Sequence, residues 1–291
     1  MDSVKPCLPQ EIAPVDAAQA ALTAQCLGPW SNQLMAYFLT LRAETDAALA
    51  PRFPWAGGKA YPYGRCEEIT QDLYARLAQR LARPSDPVTQ ALHDFVAQGG
   101  IVRSIWGVLR EQYFQNALQF GGLYVDVSND TVFVTKPQVE ILPINECGLV
   151  AVRDLAHFRQ TAERYWHATV YANHLAPTLA PLLPVITVSP GKLQPGLQSA
   201  CDYMIDLMRR DAFVQAEAWL REGPVPPPEL QLPDLPADLR AWTTDTRQEA
   251  VLACQRARAA GCQHDANWRS ARVMDYLRSV GASKTGAGGT P

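Results

Sequence analysis

The sequence predicts an α+β fold, with a mixed α/β arrangement as the alternative: a helical N-terminal layer, a central mixed or antiparallel sheet and a helical C-terminal cap. Three observations carry that expectation. Apolar residues before residue 99 recur at helical spacing. From Gly99 to about Pro190 the chain is rich in β-branched and aromatic residues divided by turn signals, and beyond that it returns to helical patterning. No GxGxxG occurs, and the helical first third leaves little room for the strands of a dinucleotide-binding unit.

The first helix is expected to begin near Pro14. A second crosses SNQLMAYFLTLRAETDAALA, with Ser31 as its candidate cap and Leu34, Phe38 and Leu41 on one face. In the stretch Cys66 to Arg83, Ile69, Leu73, Leu77 and Leu81 form an i,i+4 stripe, with arginines gathered toward the end that the helix dipole favours. A short helix is predicted over Pro87 to Ala97. After Gly99-Gly100, IVRSIWGVLR reads as a strand, while EQYFQNALQF and LYVDVS flank Gly121-Gly122 and read as a hairpin. The rival reading makes Ile101 to Gln119 one long helix. TVFV and VEIL are expected as further strands, with Asn129-Asp130 and Lys136-Pro137 at turns.

HFRQTAERYWHA returns to helix, and LLPVITVSPG reads as a short buried strand. LQSACDYMIDLMRRDAFVQAEAWL fits one long helix or two abutting ones, and a last helical region runs from about Thr246 to Val280, broken near Gly261. A single globular domain is expected over residues 1–280. Within it GPVPPPELQLPDLPADL, Gly223 to Leu239, reads as a surface strap pinned by Leu230, Leu232 and Leu235, because its prolines forbid a continuous helix or central strand. Residues 281–291 are expected to form a flexible tail.

A chain of 291 residues with 47% apolar side chains can bury a core without disulfides or structural metals. Its 26 basic and 29 acidic residues give a net charge of −3, which excludes the broad basic field that nucleic-acid binding demands. The start, MDSVKPCLPQEIAP, has no apolar leader, and no run of eighteen apolar residues follows, so a soluble, cytoplasmic protein without a membrane partner is expected. The seven scattered cysteines form no CxxC, and no HExxH is present, so reduced thiols and no metal or cofactor are the expectation.

Cys66 is the sharpest chemical candidate. YPYGRC places it after a Pro/Gly-rich turn at the start of a predicted helix, where free N–H groups and the adjacent Arg65 would favour a thiolate, against the charges of Glu67 and Glu68. A buried structural cysteine is the plainer alternative. A nucleophilic thiol also needs a base, and the inventory is His93, His157, His167, His174 and His264. His174, in YANHLAP, is favoured as a loop-exposed histidine. Arg103 and Arg110 are candidate clamps for a carboxylate or phosphate, and Tyr61, Tyr63, Tyr165 and Trp166 are candidate cleft walls.

Cys66, Gln115-Asn116-Ala117-Leu118 and Leu123-Tyr124-Val125-Asp126 together resemble the transglutaminase-like and papain-like thiol-enzyme superfamily. That resemblance implies a cysteine opening a helix, a histidine on one strand and an acid or amide on the next, with Asp126 at the acidic position. Tyr113 or Gln115 stands where the histidine is expected, so the resemblance implies a rearranged site or an inactive relative. GGLYVDVSND is similar to the glycine-tyrosine-aspartate strand of metal-dependent sugar-nucleotide transferases. This second resemblance implies a divalent ion at Asp126 assisted by Asn129 or Asp130, with Ser128 where the second aspartate is expected. Asn129-Asp130 reads most economically as an Asx-type turn.

The leading expectation is a thiol-dependent acyl transferase or amide/ester hydrolase, with Cys66, His174 and Asp126 as catalytic residues and a small polar or peptide-like substrate. The alternatives are a divalent-metal-dependent glycosyltransferase and a non-catalytic small-ligand or protein-binding domain.

Overall fold

Asp16 opens the first helix, α1 (Ala17–Cys26), by accepting the Gln19 backbone N–H at 2.7 Å, which sets the start near Pro14 at Ala17. A 3-10 turn, Gly28–Trp30, runs directly into α2 (Ser31–Leu49). Ser31 is therefore the first residue of the helix, and Trp30 occupies the N-cap position with no side-chain capping bond, a correction to the expected role of Ser31. A two-residue pair, β1 (Trp55–Ala56) and β2 (Lys59–Ala60), precedes α3 (Cys66–Leu81) and α4 (Pro87–Ala97), the latter capped by Asp86. The computed structural model describes residues 9–190, 196, 197, 202–230, 232 and 235–285.

The strands that follow are β3 (Val102–Leu109), β4 (Tyr113–Phe120), β5 (Leu123–Asp126), β6 (Glu140–Pro143) and β7 (Leu149–Val150). They form one antiparallel sheet in the order β6-β5-β4-β3-β7. The hairpin reading holds: Phe120 pairs with Leu123 across Gly121-Gly122. Gly121 has φ +52°, and a Cβ there would stand 2.3 Å from Thr23 Oγ1, whose hydroxyl accepts the Gly122 N–H. α1 thus fastens the hairpin tip. VEIL falls on β6, but TVFV, Thr131–Val134, is not a strand. Its Thr131 hydroxyl donates to the Ser128 carbonyl at 2.7 Å, closing a turn, and Phe133 and Val134 face solvent.

Leu34, Phe38 and Leu41 of α2 meet Leu73 and Leu77 of α3, Leu92 and Phe95 of α4, and Leu118, Phe120 and Val125 of the sheet in one core. Each such side chain contributes about 1.5–3 kcal/mol on full burial. The helices consequently cover the sheet face that carries Leu118 and Phe120.

The chain divides into two compact units, Met1–Ala151 and Val152–Pro291. The strands read as one centre accordingly separate into the five-stranded sheet of the first unit and a three-stranded antiparallel sheet of the second. In the second unit α5 (Leu155–Tyr165) precedes β8 (Thr169–Ala172), β9 (Val185–Val188) and β10 (Gly196–Leu197). Then come α6 (Asp202–Arg210) and α7 (Val214–Glu222), two abutting helices broken where Ala212 and Phe213 take positive φ. α8 (Thr246–Ala259) and α9 (Ala266–Thr285) are separated at Gly261, φ +69°. In the proline-rich segment the Pro224 carbonyl accepts the Ala172 N–H and Leu235 and Leu239 are buried, whereas Leu230 and Leu232 are half-buried. Residues 286–291 of the expected tail lie outside the described residues, while α9 extends to Thr285. No helix among the described residues is long and apolar enough to cross a membrane.

Candidate functional site

Cys66 is the first residue of α3, and its place is set by the loop before it, where the Gly64 N–H donates to the Thr131 carbonyl at 2.8 Å. Opposite stands β4. Alternation along that strand sends Asn116 to the same face as Leu118 and Phe120, the face that α3 covers. The Asn116 amide nitrogen accordingly donates to the Cys66 sulfur at 3.5 Å. Asn116, not Tyr113 or Gln115, is the residue that β4 presents to the thiol.

The surroundings of the half-buried thiol disfavour its ionised form. Burial first, with Glu67 and Glu68 adding to it, pushes Cys66 up to about 11 from an ordinary 9.0, against the downward pull of the Asn116 hydrogen bond. Arg65 does not face the sulfur as a free charge, because its guanidinium pairs with Glu68 at 2.8 Å, donates to the Trp55 carbonyl and lies over the Phe53 ring. The expected thiolate stabilisation is corrected on that account.

Asp126 lies on the other face of the sheet, with Gln115. Its carboxylate accepts the Gln115 amide at 3.0 and 2.9 Å, the Tyr124 hydroxyl at 3.0 Å, and the Ser128 backbone N–H and hydroxyl at 2.8 and 3.2 Å. Burial raises Asp126 from 3.8 to about 6 despite those donors. The Gln115 Oε1 is buried without a hydrogen-bond partner.

Asp130 is held differently. Arg42, fully buried on α2, grips its carboxylate with both terminal nitrogens at 2.8 and 3.1 Å, and also donates to Asp46 and to the Val127 carbonyl. Asn129 donates to the Pro137 carbonyl at 2.9 Å. The oxygens that a divalent ion would need at Asp126 and Asp130 are thus already bonded, and among the described residues no group of three or more His, Cys, Asp or Glu is placed to hold a metal.

His174 belongs to the second unit, whereas Cys66 and Asp126 belong to the first. It is completely buried, not loop-exposed, because the Asn173 side chain ties the segment inward through the Leu183 carbonyl and the Ala176 N–H. The His174 Nε2 lies 2.7 Å from the Leu220 carbonyl, which can only accept, so Nε2 carries the proton. Burial lowers its pKa, and Nδ1 has no hydrogen-bond partner. Arg110 pairs with Glu140 at 2.7 Å and Arg103 reaches the Glu11 carbonyl, so both candidate clamps tie the fold together. Of the candidate cleft walls, Tyr61 donates to Asp46 at 2.5 Å, Tyr63 lies under Lys59, and Tyr165 and Trp166 flank each other at the end of α5.

The second unit holds an open cleft of about 700 Å³ that sequence patterning did not single out. One face of α8 supplies Glu249, Leu252 and Arg256, and Trp242 and Pro177 complete the wall. The local signal available was a tryptophan beside an acidic helix start, AWTTDTRQEA. Compared with protein-family models, with curated proteins and with solved structures, the chain matches none.

Proposed function

We propose that the chain is a non-catalytic binding protein for a small polar or peptide-like ligand. The observation that supports this reading most is the hydrogen bond from the Asn116 amide to the Cys66 sulfur. An amide nitrogen donates and cannot take the thiol proton, so the pair lacks the base on which nucleophilic cysteine chemistry depends. A thiol held near 11 is ionised at pH 7 to about one part in ten thousand. Acyl transfer or amide and ester hydrolysis through Cys66, His174 and Asp126 would further require Asp126 to leave Gln115 and His174 to leave the Leu220 carbonyl. Glycosyl transfer would require Asp130 to release Arg42.

The test is the pH dependence of Cys66 alkylation by iodoacetamide, read by mass spectrometry, together with release of p-nitrophenol from p-nitrophenyl acetate. A rate that climbs through pH 9 without a plateau, and ester release unchanged in Cys66→Ala, is expected. A plateau near pH 7 with release abolished in Cys66→Ala would return the chain to the thiol enzymes.

A further inference from the structure

We propose that the cleft on α8 binds a short zwitterionic peptide, about three residues long with an apolar middle residue, its ammonium at Asp245 and Glu249 and its carboxylate at Arg256. This deepens the binding reading above and rests on it.

The cleft volume, about 700 Å³, falls within the roughly 300–1,000 Å³ of small-ligand sites. Its wall is charged at the two ends and apolar between them. At the N-terminal end of α8, Asp245 accepts the Gln248 N–H through one oxygen, and no hydrogen bond engages the other among the described residues. Glu249, one turn on, accepts the backbone N–H groups of Trp242 and Thr243 at 2.9 to 3.0 Å and the Thr243 hydroxyl at 3.1 Å. The two carboxylates reverse the positive field that the start of a helix would otherwise present. At the other end Arg256 is exposed, and its guanidinium has no hydrogen bond or ion pair among the described residues.

Glu249 and Arg256 are seven positions apart, which places them on one face of α8 about 10 Å apart along its axis. An extended peptide advances about 3.3–3.6 Å per residue, so three residues cover the same span. Along α8, Leu252 and Ala253 lie between Glu249 and Arg256, Pro177 also lines the cleft, and the Trp242 ring stands 76% exposed with no aromatic partner among the described residues. Glu249 fixes the Trp242 backbone, and the open indole offers an aromatic face to an apolar side chain. A single acid at Arg256 would leave the negative charge at the start of α8 uncompensated, and a single cation would leave the charge of Arg256 uncompensated. A ligand carrying both charges complements both ends.

The experiment titrates the full chain with Ala-Leu-Ala by calorimetry, beside its N-acetyl and C-terminal amide forms. The free peptide is expected to bind, and each blocked form to bind at least tenfold more weakly. Arg256→Gln should erase the discrimination against the amide. Asp245→Asn, which retains a capping side chain, should weaken the discrimination against the acetyl form. Absence of binding, or equal affinity for all three forms on the unaltered chain, overturns the peptide assignment and leaves the non-catalytic reading intact. Cleavage of the peptide that disappears in Cys66→Ala, read by mass spectrometry on the same samples, overturns the non-catalytic reading and the proposal that rests on it.

Discussion

The Asn116 side-chain nitrogen stands 3.5 Å from the Cys66 sulfur, where the first turn of α3 meets the middle of β4. A donor in that place lowers the thiol pKa, and burial outweighs it. A helix-opening cysteine facing a strand thus meets, in Asn116, a donor and not a proton acceptor.

Asn116→His supplies the missing acceptor at the same strand position. Iodoacetamide alkylation of Cys66 at pH 7 is expected to rise at least tenfold, because an imidazole can take the proton. An unchanged rate, with the far-ultraviolet spectrum preserved, would mean that strand position 116 does not control the thiol.

Asp126 makes the first unit more stable as the pH falls. A carboxyl raised to about 6 in the fold and near 3.8 unfolded binds its proton more tightly when folded, so stability is fullest below 3.8 and declines as pH rises through about 6. The difference amounts to about 3 kcal/mol. Urea unfolding from pH 4 to 7.5, compared between the native chain and Asp126→Asn, should show this slope only in the former, with the Gln115 Oε1 free to accept from the new amide. Parallel slopes in the two proteins would contradict it.

Removing Arg42 leaves Asp130 buried and unpaired. Arg42→Met is expected to destabilise the chain by about 3–5 kcal/mol in urea, and the double variant Arg42→Met with Asp130→Leu by less than the single one. A single-variant loss below about 1 kcal/mol would show that the pair is solvated and weak.

Gly107 admits β7 to the edge of the sheet, because a Cβ there would lie 2.4 Å from the Val150 carbonyl oxygen. Gly107→Ala is expected to cost about 1–3 kcal/mol and to speed amide exchange in β7. Gly122→Ala, whose Cβ would meet only ordinary contacts with Thr23, serves as the control. Equal effects of the two substitutions would contradict the close approach.

The sequence by itself determined the elements whose signal is local. The leucine stripe from Ile69 to Leu77 made α3, Pro87 and Ala97 bounded α4, Gly121-Gly122 turned the β4-β5 hairpin, and Gly261 divided α8 from α9. Periods of 3.6 and 2 residues and the backbone freedom of glycine act within a few residues, so they are legible in the chain. TVFV looked like a strand because β-branching is also local, yet a Thr131 hydroxyl bond to Ser128 decided against it. The site was decided by tertiary structure. Cys66 meets Asn116 across 50 positions and Arg42 meets Asp130 across 88. His174 was turned inward by Asn173 contacts that no pattern in YANHLAP announces. Which face of β4 meets α3 depends on the packing of three helices against one sheet. A one-residue change of face exchanges Asn116 for Gln115, and with it the partner of the thiol.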